Sequence, residues 1–133
     1  METTLKIGLS ARIEKIVEYK DTAKAVASGL AEVFSTPSLI ALMENAACSM
    51  VQKLLPEGFS TVGVGINAKH VAATPVGLRV FANAVLIGVD GRKLTFHITA
   101  FDEHEKIGEA EHIRMIIDEK KFMQKAAAKA AKA

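Results

Sequence analysis

A chain of 133 residues, half of them hydrophobic and with nine glycines spread along it, is long enough to bury one core without disulfides or metal and too apolar to be disordered. Its formal charge of +2 belongs to the tail: once the five lysines after Glu119 are set aside, twelve basic residues face all fifteen acidic ones, a balance of −3 over residues 1–119. The lone cysteine, Cys48, rules out an internal disulfide and suits a reducing compartment, no run approaches the roughly 18 apolar residues of a membrane span, and residues 1–10, broken by Lys6 and Gly8, are no signal peptide, so the expected location is the cytoplasm.

Leu5, Ile7, Leu9, Ala11 and Ile13 alternate with Lys6, Gly8, Ser10 and Arg12, the period of a strand with one buried face, expected to run on to Tyr19. Residues 21–34 are Ala-rich behind Asp21, which is placed to cap a helix, and are interrupted by Ser28 and Gly29. That pattern predicts one or two short helical turns with a flexible join, able to cover a site. Residues 36–55 predict the one long helix, capped by Ser35 or Thr36, with Pro37 at its first position where a missing N–H costs nothing, and ended by Pro56 and Gly58.

From Ser60 the period becomes two, with Val62, Val64, Ile66, Ala68 and His70 expected on the face towards the helix and Thr61, Gly63, Gly65, Asn67 and Lys69 on the other. After a turn over residues 73–77 comes a strand over 78–89. Asp90 and Gly91 are a two-residue hairpin signal, and in the returning strand Leu94, Phe96, Ile98 and Ala100 alternate with Lys93, Thr95, His97 and Thr99. Residues 106–117 make the last strand. The Lys/Ala-rich tail, residues 120–133, has strong helix formers but little to bury after Met123. The order of strand, long helix and four hairpin-connected strands predicts an α+β fold, one domain over residues 1–119, in which a five-stranded antiparallel sheet curls round one long central helix. One open strand edge would pair the chain into a homodimer.

On the helical wheel Ser38, Asn45, Ser49 and Gln52 form a narrow polar strip, and Glu44 lies about 120° from its centre, with Ile40, Ala41, Ala47 and Cys48 one turn away. A carboxylate so placed loses hydration with no cation near it in sequence, so it needs a tertiary partner or a proton. His70, at the end of the apolar face of the next strand, projects towards the same interface. An acid and a base that face each other shift each other's pKa, which suits general-base or nucleophilic work and also describes a structural ion pair.

Thr36 is by default a cap, although free N–H groups and the positive dipole end at a helix start also favour an oxyanion. Gly63 and Gly65 within a strand mark either a bulge or the close approach of ligand or backbone. Arg114, on one face with His112, either holds a phosphate or carbonyl or pairs with a neighbouring acid. His97 and His104 read as solvated, and Cys48 as a small core residue. There is no metal-ligand spacing, phosphate loop or dinucleotide fingerprint, and the tail lysines lack interleaved aromatics, so neither metal nor nucleic acid is expected.

The run VFSTPSLIALMENAA from Val33 to Ala47, with HVAATPVG from His70 to Gly77, resembles the hotdog-fold thioesterases of the fluoroacetyl-CoA thioesterase type, and the likeness extends over nearly the whole chain. The resemblance implies hydrolysis of an acyl-CoA with a short or small acyl group to free acid and CoA, with no cofactor beyond the CoA of the substrate, no membrane partner, and a homodimer with sites at or near the subunit interface. It implies Thr36, Glu44 and His70 as the catalytic set, with Gly63 and Arg114 near the substrate. Where phenylalanines gate the acyl pocket of the fluoroacetyl-specific member, this chain has Ala27 and Leu30 before Phe34, so that specificity is not expected to carry over. Two other readings stand beside hydrolysis: a non-catalytic module binding acyl-CoA as sensor or carrier, and a hotdog dehydratase. The complete Thr36, Glu44 and His70 set argues against the first, since a pure binder has no need of a desolvated acid and base.

Overall fold

The computed structural model describes residues 5–132, so the first four residues of the segment read as no signal peptide lie outside it. In chain order it contains β1 (Ser10–Ile16), a short 3-10 turn (Tyr19–Asp21), α1 (Thr36–Gln52), β2 (Phe59–His70), β3 (Arg79–Asp90), β4 (Lys93–Asp102), β5 (Lys106–Asp118) and α2 (Glu119–Ala128). The five strands form one unclosed antiparallel sheet in the order β1-β3-β4-β5-β2. Against its inner face α1 buries Leu39, Leu42, Met43, Ala46, Ala47, Met50 and Val51. They meet Val80, Ala82, Ala84 and Leu86 of β3 and the expected row Leu94, Phe96, Ile98 and Ala100 of β4, all fully buried. The expected α+β architecture is the one found, and among the described residues no helix is long and apolar enough to cross a membrane.

The departures have local causes. β2 does not form a hairpin with β3: it pairs with β5, so the segment after His70 crosses the width of the sheet, and the sheet has two edges, β1 and β2, where one was expected. β1 starts only at Ser10 because Gly8, at φ 99°, turns the chain; Gly8 N–H still donates to Leu86 O at 2.8 Å. Residues 21–34 hold no α-helix. The Asp21 carboxylate accepts from Lys15 Nζ at 2.7 Å and from Glu18 N–H at 2.9 Å, so it is not free to cap a helix on its C-terminal side. The backbone instead folds back on itself, with Ala23 N–H donating to Val33 O at 3.0 Å and Lys24 N–H to Ala31 O at 3.1 Å, round Ala27 at φ 60°. α1 is capped by Ser35, whose Oγ accepts from Ser38 N–H at 3.1 Å, which makes Thr36 the first helical residue and Pro37 the second. Its last expected turn unwinds after Gln52, and α2 forms in the tail without burying a residue.

The AATP turn is an anchor. Thr74, fully buried, donates its hydroxyl to Asp102 Oδ2 at 2.8 Å, and its carbonyl accepts from Phe34 N–H at 2.8 Å, tying the entry of α1 to the turn between β4 and β5. Burial alone would raise the Asp102 carboxyl, but bonds from His104 N–H, the Thr74 hydroxyl and Glu105 N–H outweigh it and hold the group below its ordinary 3.8. A carboxyl depressed by folding stabilises the fold above its unfolded pKa, and that contribution is lost as pH falls through the folded value. Urea midpoints of wild type and Asp102→Asn are therefore expected to differ at pH 7 and to converge in acid below about pH 4.

Candidate active site

Ile40, Glu44 and Cys48 form a half-buried row along α1, one turn apart. Next to it β2 contains the irregularity on which the site turns. Gly63 pairs with Arg114 and Gly65 with Ile113, the adjacent residue, so Val64 is an extra residue bulged out of the ladder and 57% exposed. The expected alternation therefore holds only after the bulge. Before it Thr61 and Gly63 face inward in place of Val62 and Val64; after it Ile66 pairs with buried His112, and the half-buried row Ile66, Ala68 and His70 faces inward as predicted.

Of the two readings of the strand glycines, the bulge is the one found, and what comes close at Gly63 is neither ligand nor backbone but side chains. A Cβ on Gly63 would stand 2.7 Å from Glu44 Oε2, 3.3 Å from His112 Cε1 and 3.4 Å from Arg114 Nη1, so only a glycine leaves the carboxylate its room.

Glu44 is not a carboxylate without a cation. Its Oε2 lies 3.6 Å from Arg114 Nη1, the cation arriving from the last strand; the Arg114 side chain is 7% exposed and that of Glu44 41%. Thr61 takes one edge of the guanidinium, Nε donating to its Oγ1 at 2.8 Å and Nη2 to its carbonyl at 3.1 Å. Nη1 donates to His112 Nε2 at 3.2 Å. Arginine has no acceptor, so His112 Nε2 carries the lone pair and Nδ1 the proton, which it donates to Gly65 O at 2.8 Å. Burial pushes the His112 imidazole below its ordinary pKa and keeps it neutral; the bond to the Gly65 backbone opposes this, the nearby Arg114 charge adds to it, and Glu44 opposes it least.

His70 and Glu44 share no hydrogen bond or ion pair among the described residues. His70 Nδ1 lies 2.8 Å from Thr36 Oγ1, while its Nε2 is buried with no partner. With Val33, Val71, Ala72 and Ala73 the ring lines a hollow of about 270 Å³. Its pKa falls below 6.5 because of burial, with the Ala72 backbone in partial opposition, and owes nothing to Glu44. Thr36 is thus a partner of His70 and not the cap. The alternative of an oxyanion site at the helix start narrows as well: Ser38 and Leu39 N–H are taken by Ser35, and Pro37 has none.

Of the remaining histidines, His97 Nε2 lies 3.3 Å from Glu109 on the outer face, and His104 gives its backbone N–H to Asp102. Among the described residues no three His, Cys, Asp or Glu side chains gather as metal ligands. Thr61 is the site residue to which sequence reasoning gave no role, and His112 was placed only on one face with Arg114. The signal for His112 was its alternation with Ala110, Arg114 and Ile116 on the buried face of β5.

The sequence family described as fluoroacetyl-CoA-specific thioesterase matches residues 17–120. A fluoroacetyl-CoA thioesterase from Streptantibioticus cattleyicolor is 38% identical over 94 residues, 71% of this chain and 68% of that one. The crystal structure of a variant of the fluoroacetyl-CoA-specific thioesterase FlK superposes with a TM-score of 0.91 at 30% identity, covering 96% of this chain and 99% of that one. A hot-dog-like protein from Thermanaerovibrio acidaminovorans, 23% identical with a TM-score of 0.84 over 92% and 91% of the two chains, shares the fold.

Proposed function

The chain belongs to the fluoroacetyl-CoA-specific thioesterase family and is an acyl-CoA thioesterase, and we propose that it releases CoA from a small acyl thioester with Glu44, His70 and Thr36 as its catalytic set. The observation that carries the assignment is the buried Nε2 of His70, unpartnered beside a hollow while Nδ1 is held by Thr36. A structural imidazole has both nitrogens satisfied, whereas one that handles a substrate proton keeps a nitrogen free.

The two tautomers allow two roles. With Nδ1–H donated to Thr36 Oγ1, Nε2 takes the proton of an attacking water; with the Thr36 hydroxyl donating, Nε2–H polarises the thioester carbonyl. Glu44 serves either as base on that water or as nucleophile, forming an acyl anhydride as CoA thiolate leaves, which water then cleaves. Isotope-labelled oxygen found in the Glu44 carboxylate after a single turnover in labelled water would establish the covalent route. Gly63 and Arg114 form the wall behind Glu44 on the substrate side, the one giving the carboxylate space and the other counter-charge.

The small hollow and its lining of Val33, Val71, Ala72 and Ala73 favour a short or branched apolar acyl group. Ala27 and Leu30, the latter 90% exposed, offer no aromatic gate. Glu44 lies half open beside the unpaired β2 edge from which Val64 projects, and a second copy of the chain along that edge would close the site, so the working form is a homodimer. The unpaired Cys48 suits the reducing cytoplasm. We place the domain boundary after residue 119, at the start of a helix that buries none of its residues.

A thiol-release assay over short, branched, aromatic and long acyl-CoAs tests the proposal, with fastest turnover expected for the smallest groups. Tight binding without cleavage of any ester would turn the reading to an acyl-CoA sensor or carrier. In the same assay Gly63→Ala is expected to lose about 10- to 10²-fold in kcat/KM, because the new methyl would stand 2.7 Å from Glu44 Oε2 and must push it aside by several tenths of an ångström. Circular dichroism should show the fold retained.

A further inference from the structure

Arg114 is a charge inside the protein, and one of its partners is an imidazole that ordinary charge pairing would not select. Its five N–H donors lie in one plane. Thr61 fixes one edge of that plane through Oγ1 and the carbonyl, and the free corner, Nη1, carries two hydrogens between two acceptors, His112 Nε2 at 3.2 Å and Glu44 Oε2 at 3.6 Å. We propose that His112 is a positioning residue for Glu44: as a neutral acceptor it fixes the rotation of the Arg114 guanidinium so that the second Nη1 hydrogen is directed at the carboxylate. This rests on the reading of Glu44 as the catalytic carboxylate.

The rest of the local structure is built to keep His112 in that role. The imidazole is 1% exposed, so water cannot take its place as acceptor. Its tautomer is imposed by the Gly65 carbonyl, which follows the bulged Val64 and accepts Nδ1–H at 2.8 Å. A protonated ring would present a donor to the guanidinium and push it away. A buried guanidinium lacking an acceptor on one corner would also turn or recruit another group, since unpaired buried donors are costly. Its Nη1 would then leave the carboxylate that it now restrains.

The test compares His112→Leu, which removes the acceptor, with His112→Gln, whose amide can accept from Arg114 and donate to Gly65. His112→Leu is expected to lower kcat on the order of 10²-fold with KM within about twofold, and His112→Gln to recover most of that loss. In a Glu44→Gln background, His112→Leu should cost nothing further, because the group it positions is gone. A merely structural histidine would lower activity by the same factor in both backgrounds. Should His112→Leu fail to fold, His112→Asn, too short to reach both partners, takes its place with the same expectation. Wild-type kcat in His112→Leu while Glu44→Gln is inactive overturns the inference alone; full activity of Glu44→Gln overturns the role of Glu44, and the inference with it.

Discussion

Glu44→Gln is expected to cut kcat/KM for acyl-CoA hydrolysis by about 10²–10⁴-fold, the range for loss of a positioned acid, base or nucleophile. The substitution keeps the volume of the side chain, and its amide oxygen can still face Arg114 Nη1, now 3.6 Å from Oε2. It removes only the charge and the basicity, so acyl-CoA affinity should change little and the loss should fall on kcat. Stability should fall modestly, because the buried Arg114 keeps the Thr61 and His112 bonds but loses its counter-charge. Thiol release, equilibrium binding and urea unfolding on the same preparation separate these effects. A rate within a few-fold of wild type would remove Glu44 from the chemistry.

His70→Ala is expected to lose activity over a similar range, about 10²–10⁴-fold, with a signature of its own in the pH profile. Burial holds the His70 pKa below 6.5, so the ring is neutral at pH 7 and able to accept a proton. As pH falls through that lowered value the ring protonates and the rate should decline, an acid limb that the residual activity of His70→Ala must lack. The alanine leaves a gap of imidazole size beside the hollow bordered by Val33, Val71, Ala72 and Ala73, so added imidazole should restore part of the rate. An unchanged acid limb in His70→Ala would assign that titration to another group.

How much of this was legible in the sequence depended on range. The long helix and the rows on β4 arise from local periodicity, and the structure reproduces them nearly residue for residue. Residues 21–34 misled because alanine favours helix, whereas the bonds from Ala23 and Lys24 across to Val33 and Ala31, and the use of the Asp21 carboxylate by Lys15, decided the path. Glu44 was correctly marked as anomalous on the helix, but its partner was misjudged. A wheel shows what is absent near a carboxylate in sequence and cannot show that Arg114 arrives on the last strand. The cap was left open between Ser35 and Thr36, with Thr36 a cap by default; Ser35 does that work, which leaves the Thr36 hydroxyl for His70. The place of β2 at the sheet edge, and with it the crossing to β3, depended on pairing between distant strands and had no local signal.

The extra residue at Val64 has a consequence for how such a chain can change. Before it, side-chain direction follows one parity of residue number, placing Thr61 and Gly63 inward; after it the opposite parity holds, placing Ile66 and His70 inward. The strand is thus read in two frames, and one inserted residue joins the half that accommodates the acid to the half that bears the base. The identity of Val64 is constrained only by what lies along the β2 edge and not by the core, because its side chain projects outward. Deletion cannot be absorbed: a strand one residue shorter would keep Gly63 beside Glu44 or His70 beside Thr36, but never both. Length at this point, more than the identity of the extra residue, is what the geometry of the site requires.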